Sequence, residues 1–164
     1  MLFRSSQWMK VIETDTVPKT RVANGMFLKL EGNEKEPLGQ RVIETPIDAE
    51  ATEVLRDARS GYEVYVPVGS VKKGEALAKK LQCSTCHGAN LEGIGPVPTL
   101  AGRSPSYMAR QLFDFQTGAR NGLWSDLMKP VVAKLTNDDL VNLSAYMASK
   151  TPPAGGGKSL SRSN

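Results

Sequence analysis

The run Cys83-Ser84-Thr85-Cys86-His87 contains both cysteines and the only histidine of the chain. Two thiols three positions apart, followed at once by an imidazole, suit covalent attachment of a haem. Each thiol adds to one vinyl group, and the adjacent ring reaches the iron from the same side. Zinc would want four ligands, and no further Cys or His exists to complete such a set. A thioredoxin-like redox pair would follow a buried strand, whereas the residues before Cys83, GEALAKKLQ, carry a helical pattern. Two structural cysteines beside a surface histidine are the plainest remaining alternative.

A haem iron held by His87 needs a partner on its other face. With one histidine, a second imidazole cannot come from this chain, and among the remaining side chains a thioether suits haem iron best. Met108, Met128 and Met147 follow the motif. Met108 and Met147 fall at core-like positions of helices and are expected to pack. Met128 lies 41 residues beyond His87, in the stretch NGLWSDLMKP, which reads as a non-helical link ending at Pro130. It is the favoured distal ligand. The loop ANLEGIGPVPTLAG, preceded by Gly88, is too rich in Gly and Pro to be helical. It can follow the edge of a flat cofactor, and one of its carbonyls can accept the other ring N–H of His87, fixing the imidazole and raising its donor strength. Pro96 is the residue expected there.

The elements that must position these groups are helical from about Lys72 onward. Leu77 and Leu81 share one face of a helix leading to Cys83. Ser104 is placed to cap a second helix with Pro105 in its first turn, carrying Tyr107, Gln111, Leu112 and Phe115 to a stop at Gly118. A third begins at the capping sequence Thr136-Asn137-Asp138-Asp139 and runs to about Ser149, with Leu140, Leu143, Tyr146 and Met147 facing the first.

Residues 1–70 differ in kind. Pro18, Pro37, Pro46 and Pro67, with five glycines, leave no room for a long helix. Short strand-like pieces remain: Met26–Leu30 is expected to pair with Gln40–Glu44 across EGNEKEPLG, and Tyr62–Val66 alternates weakly at period two. Asp48, Glu50, Glu53 and Asp57 form an acidic cluster that reads as a solvated face. The expected division is an extended, turn-rich segment over 1–70, which packs on the helical part or bridges to a neighbour. A helical haem domain follows over 71–150, then a disordered tail over 151–164.

Composition removes several functions. No run approaches the 18 or so apolar residues of a membrane-crossing helix. Residues 1–70 hold nine Lys/Arg against eleven Asp/Glu, while 71–150 hold ten against six. The basic excess therefore belongs to the half with the motif, and it is too small to argue for nucleic acid. Lys72, Lys73, Lys79 and Lys80 read as solvated surface, and an acidic docking partner is the other use for them. The start, MLFRSSQWMKVIETD, lacks the apolar core of an export signal. The motif's resemblance to c-type haem attachment implies joining outside the cytoplasm, so either a signal has been removed or the chain is part of something longer.

The run from CSTCHG through the GPVP loop, YMARQLFDFQTGAR and Met128 closely resembles a class I c-type cytochrome domain, in particular the second domain of bacterial two-haem periplasmic cytochromes. The resemblance covers about residues 72–150. It implies a mainly α fold around one covalent haem c, with Cys83 and Cys86 as thioether attachments. It implies His87 as proximal ligand, Met128 as distal ligand and Pro96 beside the proximal ring. The stretch RVIETPIDAEATEVLRDARSGYEVYVPVGSVKKG resembles the segment joining the two haem domains, so a first haem domain and an export signal are expected outside this chain. The implied function is single-electron transfer by Fe(III)/Fe(II) cycling in the periplasm, within a respiratory chain and between protein redox partners whose identity the sequence does not give. Two alternatives stand beside it: the electron-transfer module of a dehydrogenase or oxidase complex, and a five-coordinate haem sensor or peroxidase.

Overall fold

A computed structural model describes residues 8–57 and 60–152. Most of the tail expected to be disordered, 153–164, lies outside the described residues.

Four helices and one helical turn build the C-terminal half. Helix α2 (Ser70–Lys80) crosses α6 (Asn137–Ser149), and α4 (Pro105–Thr117) packs on α6 as well. The α2–α6 crossing is tight because Gly74 carries no side chain: a Cβ there would stand 2.0 Å from the Asn142 carbonyl oxygen and 2.7 Å from Tyr146 Cβ. Ala78, Leu91, Leu100, Met108, Leu112, Phe115, Val132, Leu140, Leu143 and Met147 fill the space between the helices.

The helix boundaries follow local chemistry. Ser104 caps α4 through its hydroxyl, which accepts from Tyr107 N–H, and Gly118 ends it at φ 76°. Thr136 and Asp139 form a reciprocal capping box at the start of α6. Cys83 is not simply the end of α2, however. Gln82 adopts a left-handed conformation (φ 55°), which breaks the helix and starts a separate turn, α3 (Cys83–His87).

The stretch expected to be a non-helical link is also helical: α5 (Ser125–Val132) contains Met128, with Pro130 inside it. A proline deletes one backbone bond. In a helix of eight residues that loss is tolerated when a neighbour supports the element, as α4 does here.

The N-terminal half is a small β structure. Strand β1 (Met9–Glu13) runs parallel to β7 (Tyr62–Val66), and β6 (Ile43–Pro46) pairs antiparallel on the other side of β7. Strands β2 (Thr16–Pro18) and β5 (Lys35–Pro37) form one ribbon, and β3 (Thr20–Ala23) and β4 (Met26–Lys29) another. The expected partnering of 26–30 with 40–44 is therefore wrong. Asn24 and Gly25, at φ 50° and 76°, make a two-residue turn that folds Met26–Lys29 back on Thr20–Ala23. The acidic cluster gains a short helix, α1 (Ala49–Glu53), with Asp48 Oδ1 accepting from Ala51 N–H.

The sheet is fastened to the helices. Met9, Val64 and Val66 pack on Ala145 and Ala148 of α6. Two carboxylates from the strands also reach helix N-termini: Glu13 accepts from Val71 N–H at 2.8 Å and Glu44 from Ser106 N–H at 2.6 Å. Each satisfies an N–H group that the helix itself leaves without a partner.

Candidate functional site: the Cys-x-x-Cys-His turn and its loop

A single helical turn displays Cys83, Cys86 and His87 together, since residues three and four apart lie on one face. Both thiols are unpaired, Cys86 exposed and Cys83 half-buried. Burial pushes the Cys83 thiol pKa up from its ordinary value. His87 is 7% exposed.

The loop after the motif folds back on itself around Leu91, which is buried at φ 60°. Its carbonyl accepts from Leu100 N–H (2.8 Å), Ala101 N–H (3.1 Å) and Thr99 Oγ1 (3.2 Å). Gly93 N–H donates to the His87 carbonyl at 2.7 Å, which closes the loop on the motif. Gly93 sits at φ 87°, and a Cβ there would come within 2.7 Å of Thr99 N and the Val97 carbonyl oxygen. The backbone can pass this close only without a side chain.

That path brings the Pro98 carbonyl oxygen to 2.8 Å from His87 Nδ1. The carbonyl expected here was that of Pro96. Ile94 and Val97 exchange backbone hydrogen bonds (3.2 and 3.0 Å) across a reversal that leaves Gly95 and Pro96 exposed at its tip. The returning limb then lays Pro98, not Pro96, against the imidazole. A carbonyl only accepts, so Nδ1 carries the hydrogen and Nε2 of the neutral ring keeps its lone pair.

The three downstream methionines are placed differently. Met108 and Met147 are 5% and 2% exposed inside the core. Met128 is half-buried at the edge of that core, a position it shares with Cys83. The α5 segment that carries it is held at both ends. Lys129 Nζ donates to Asp126 Oδ1 (2.7 Å) and Asn121 Oδ1 (3.0 Å), and Gln116 Nε2 of α4 donates to the Val132 and Leu135 carbonyls. The four lysines singled out on α2 are all exposed, and Lys79 pairs with Glu75 at 2.8 Å. Among the described residues no group of three or more His, Cys, Asp or Glu side chains is placed to hold a metal ion. No helix among them is long and apolar enough to cross a membrane.

Two thiols and an imidazole with a free Nε2, on one face above an apolar core, fit a covalently attached haem and its iron. The class so defined is the haem proteins with thioether attachment. Residues 71–151 match the cytochrome c family model. Cytochrome c-554(547) of Halothiobacillus neapolitanus is 34% identical over 87 residues, which are 46% of this chain and 96% of that protein. Cytochrome c4 of Thiocapsa roseopersicina is 37% identical over 98 residues, 57% of this chain and 48% of the relative. A protein of Stutzerimonas stutzeri named thiosulfate dehydrogenase electron acceptor is 31% identical over 98 residues, 58% of this chain and 41% of its own length. The chain belongs to the cytochrome c family, with haem c as its cofactor and electron transfer as the family's work. It spans about half the length, or less, of the cytochrome c4 and electron-acceptor relatives.

Proposed function

We propose that residues 71–150 form a one-haem electron-transfer domain in which Cys83 and Cys86 make the thioether links, His87 Nε2 binds the iron and the Met128 thioether binds it from the other face. The observation that carries this reading is the 2.8 Å bond from His87 Nδ1 to the Pro98 carbonyl. It holds the ring in one orientation, fixes the tautomer that frees Nε2 and raises the basicity of that nitrogen. Bound haem supplies a one-electron Fe(III)/Fe(II) couple. The chain's own part is to keep that couple's ligands in place, on an apolar core that includes Leu91, Leu100 and Phe115 and against which Cys83 and Met128 pack. A thioether opposite an imidazole favours the ferrous state, so a positive potential is expected.

The exchange partners are other redox proteins, met outside the cytoplasm in the bacterial periplasm where such haems are attached. The Stutzerimonas relative is named as the electron acceptor of a dehydrogenase. That supports a second, compatible reading of this chain as the acceptor module for an oxidoreductase. Over 1–70, the β segment reads as an interdomain piece fastened on the haem domain through Glu13, Glu44 and the α6 contact.

The test is an absorption spectrum of the protein produced with a periplasmic haem-attachment system. Haem retained through denaturation, one per chain, with the weak sulfur-to-iron charge-transfer band in the ferric form, is the expected result. Covalent haem without that band removes Met128 from the iron and favours a five-coordinate sensor. Absence of attached haem overturns the reading.

A further inference from the structure

We infer that Gln116 is a positioning residue for the distal ligand: it sets where Met128 stands by clamping the C-terminal end of α5. The inference rests on the reading of Met128 as an iron ligand.

The α5 segment is poorly able to hold its own position. It has eight residues, loses one backbone bond to Pro130, and starts at Trp124, which gives no side-chain cap. The approach to it and its first turn lie largely in solvent, Leu123, Trp124 and Leu127 at 89%, 64% and 66% exposure, with Ser125 alone buried there. An isolated helix of this length is not stable. Its place is therefore set by what grips it.

The half-buried Gln116 of α4 supplies that grip. Its amide nitrogen donates at 2.7 Å to the Val132 carbonyl and at 2.8 Å to the Leu135 carbonyl. Both partners only accept, which fixes the amide orientation. The Val132 carbonyl, which also accepts from Leu135 N–H at 3.0 Å, ends α5, and the Leu135 carbonyl lies three residues beyond it, so one side chain from another helix ties the end of α5 to the turn that follows. Val132 is fully buried and lies one helical turn beyond Met128 on the same face. Holding its carbonyl therefore fixes both the rotation of α5 and its distance from α4. Lys129 makes the opposite fastening, but its partners Asp126 and Asn121 are exposed, so that contact is screened by solvent.

The thioether is a weak donor whose bond to iron depends on delivery to the right place. The experiment uses the holoprotein and compares Gln116→Leu, which removes both donors at similar volume, with Gln116→Glu, of the same shape but acceptor-only when ionised. Met128→Ala serves as the reference. Both Gln116 variants are expected to keep covalent haem and parental helical circular dichroism, yet to lose most of the ferric charge-transfer band. Carbon monoxide binding to the reduced form should rise roughly tenfold or more, the scale on which outer partners of metal ligands act. In Gln116→Glu the band should return as the pH is lowered and the carboxyl takes up the proton it needs to donate; a merely structural role would give no such return.

Parental band and carbon monoxide resistance in Gln116→Leu, with both lost in Met128→Ala, overturn the role of Gln116 and leave Met128 as ligand. A band that survives in Met128→Ala overturns the ligand assignment and the inference with it. If Gln116→Leu does not fold, Gln116→Glu decides by the presence or absence of recovery in acid.

Discussion

Glu44, on the central sheet of the N-terminal half, holds Ser104 at the head of a core helix of the haem-binding half. The Ser104 hydroxyl lies 2.8 and 2.9 Å from the two carboxylate oxygens, and Ser106 N–H donates to the same group at 2.6 Å. Ser104 Oγ accepts in turn from Tyr107 N–H at 3.2 Å. The N-terminus of α4 is thus capped by a relay of two side chains from different parts of the chain. A negative charge is favourable there because the helix dipole points its positive end at it. Glu44→Ala should lower stability by about 1–2 kcal/mol. Glu44→Gln should cost less, since an acceptor remains. Urea midpoints followed by helical circular dichroism check both; equal midpoints for all three proteins would mean that the cap contributes nothing.

Gly74 is where α2 and α6 touch. Because a Cβ would stand 2.0 Å from the Asn142 carbonyl oxygen, a backbone atom, relief requires the helices to part. Gly74→Ala should therefore destabilise by about 3 kcal/mol despite alanine's better helix propensity, which alone would stabilise by about 1 kcal/mol. The sign of the change in thermal midpoint separates the two effects.

Glu63 gathers three donors: Lys29 Nζ at 2.6 Å, Tyr65 hydroxyl at 2.9 Å and Lys10 Nζ at 3.1 Å. Its carboxyl pKa is held down from 4.5 to about 2, first by the Lys29 bond, with burial opposing. A depressed carboxyl contributes stability that is fully present above its unfolded value and is lost as the pH falls through the folded one. The loss should therefore run from about pH 4.5 down toward 2. Glu63→Gln should cost roughly 1 kcal/mol at neutral pH, the lysines being solvent-screened. Its deficit against the parent should shrink with acidification, which urea midpoints measured across that range will show.

What the sequence alone discloses is the part written locally. The motif, the Ser104 and Gly118 ends of α4 and the Thr136–Asp139 box need only a few neighbouring residues, and each is found where those residues place it. The Asn24-Gly25 turn is an equally local hairpin signal, and it pairs Met26–Lys29 with Thr20–Ala23 in place of the partner expected at 40–44. Pro130 does not mark a non-helical link for a different reason: a proline near the end of a short helix removes one bond without ending the element when a neighbouring helix grips it. The choice between Pro96 and Pro98 depends on the path set by the positive φ of Gly93 and Gly95; glycine at those positions signals the freedom to turn, but not which carbonyl the returning limb brings to the imidazole. The caps by Glu13 and Glu44 bridge 58 and 62 residues, and Gln116 reaches across 16 and 19. No periodicity or spacing signals such contacts, because they exist only once the helices have packed.

The placement of the methionines makes the ligand assignment separable from packing. Met108 and Met147 lie inside the core, where an apolar side chain of similar volume can replace them. Met108→Leu and Met147→Leu should each cost less than about 1.5 kcal/mol and leave the haem spectrum unchanged. Met128 sits at the core's edge, so its loss should cost little stability and instead change the iron. Met128→Ala should abolish the ferric charge-transfer band, open the reduced protein to carbon monoxide and lower the reduction potential, since a thioether raises it. Potentiometry on the three variants tests this directly. A lowered potential in Met108→Leu or Met147→Leu, with Met128→Ala unaffected, would move the ligand from α5 into the helix concerned. Because α5 is the one element gripped from α4 through Gln116, that outcome would also leave the two hydrogen bonds of Gln116 with no part in the redox chemistry.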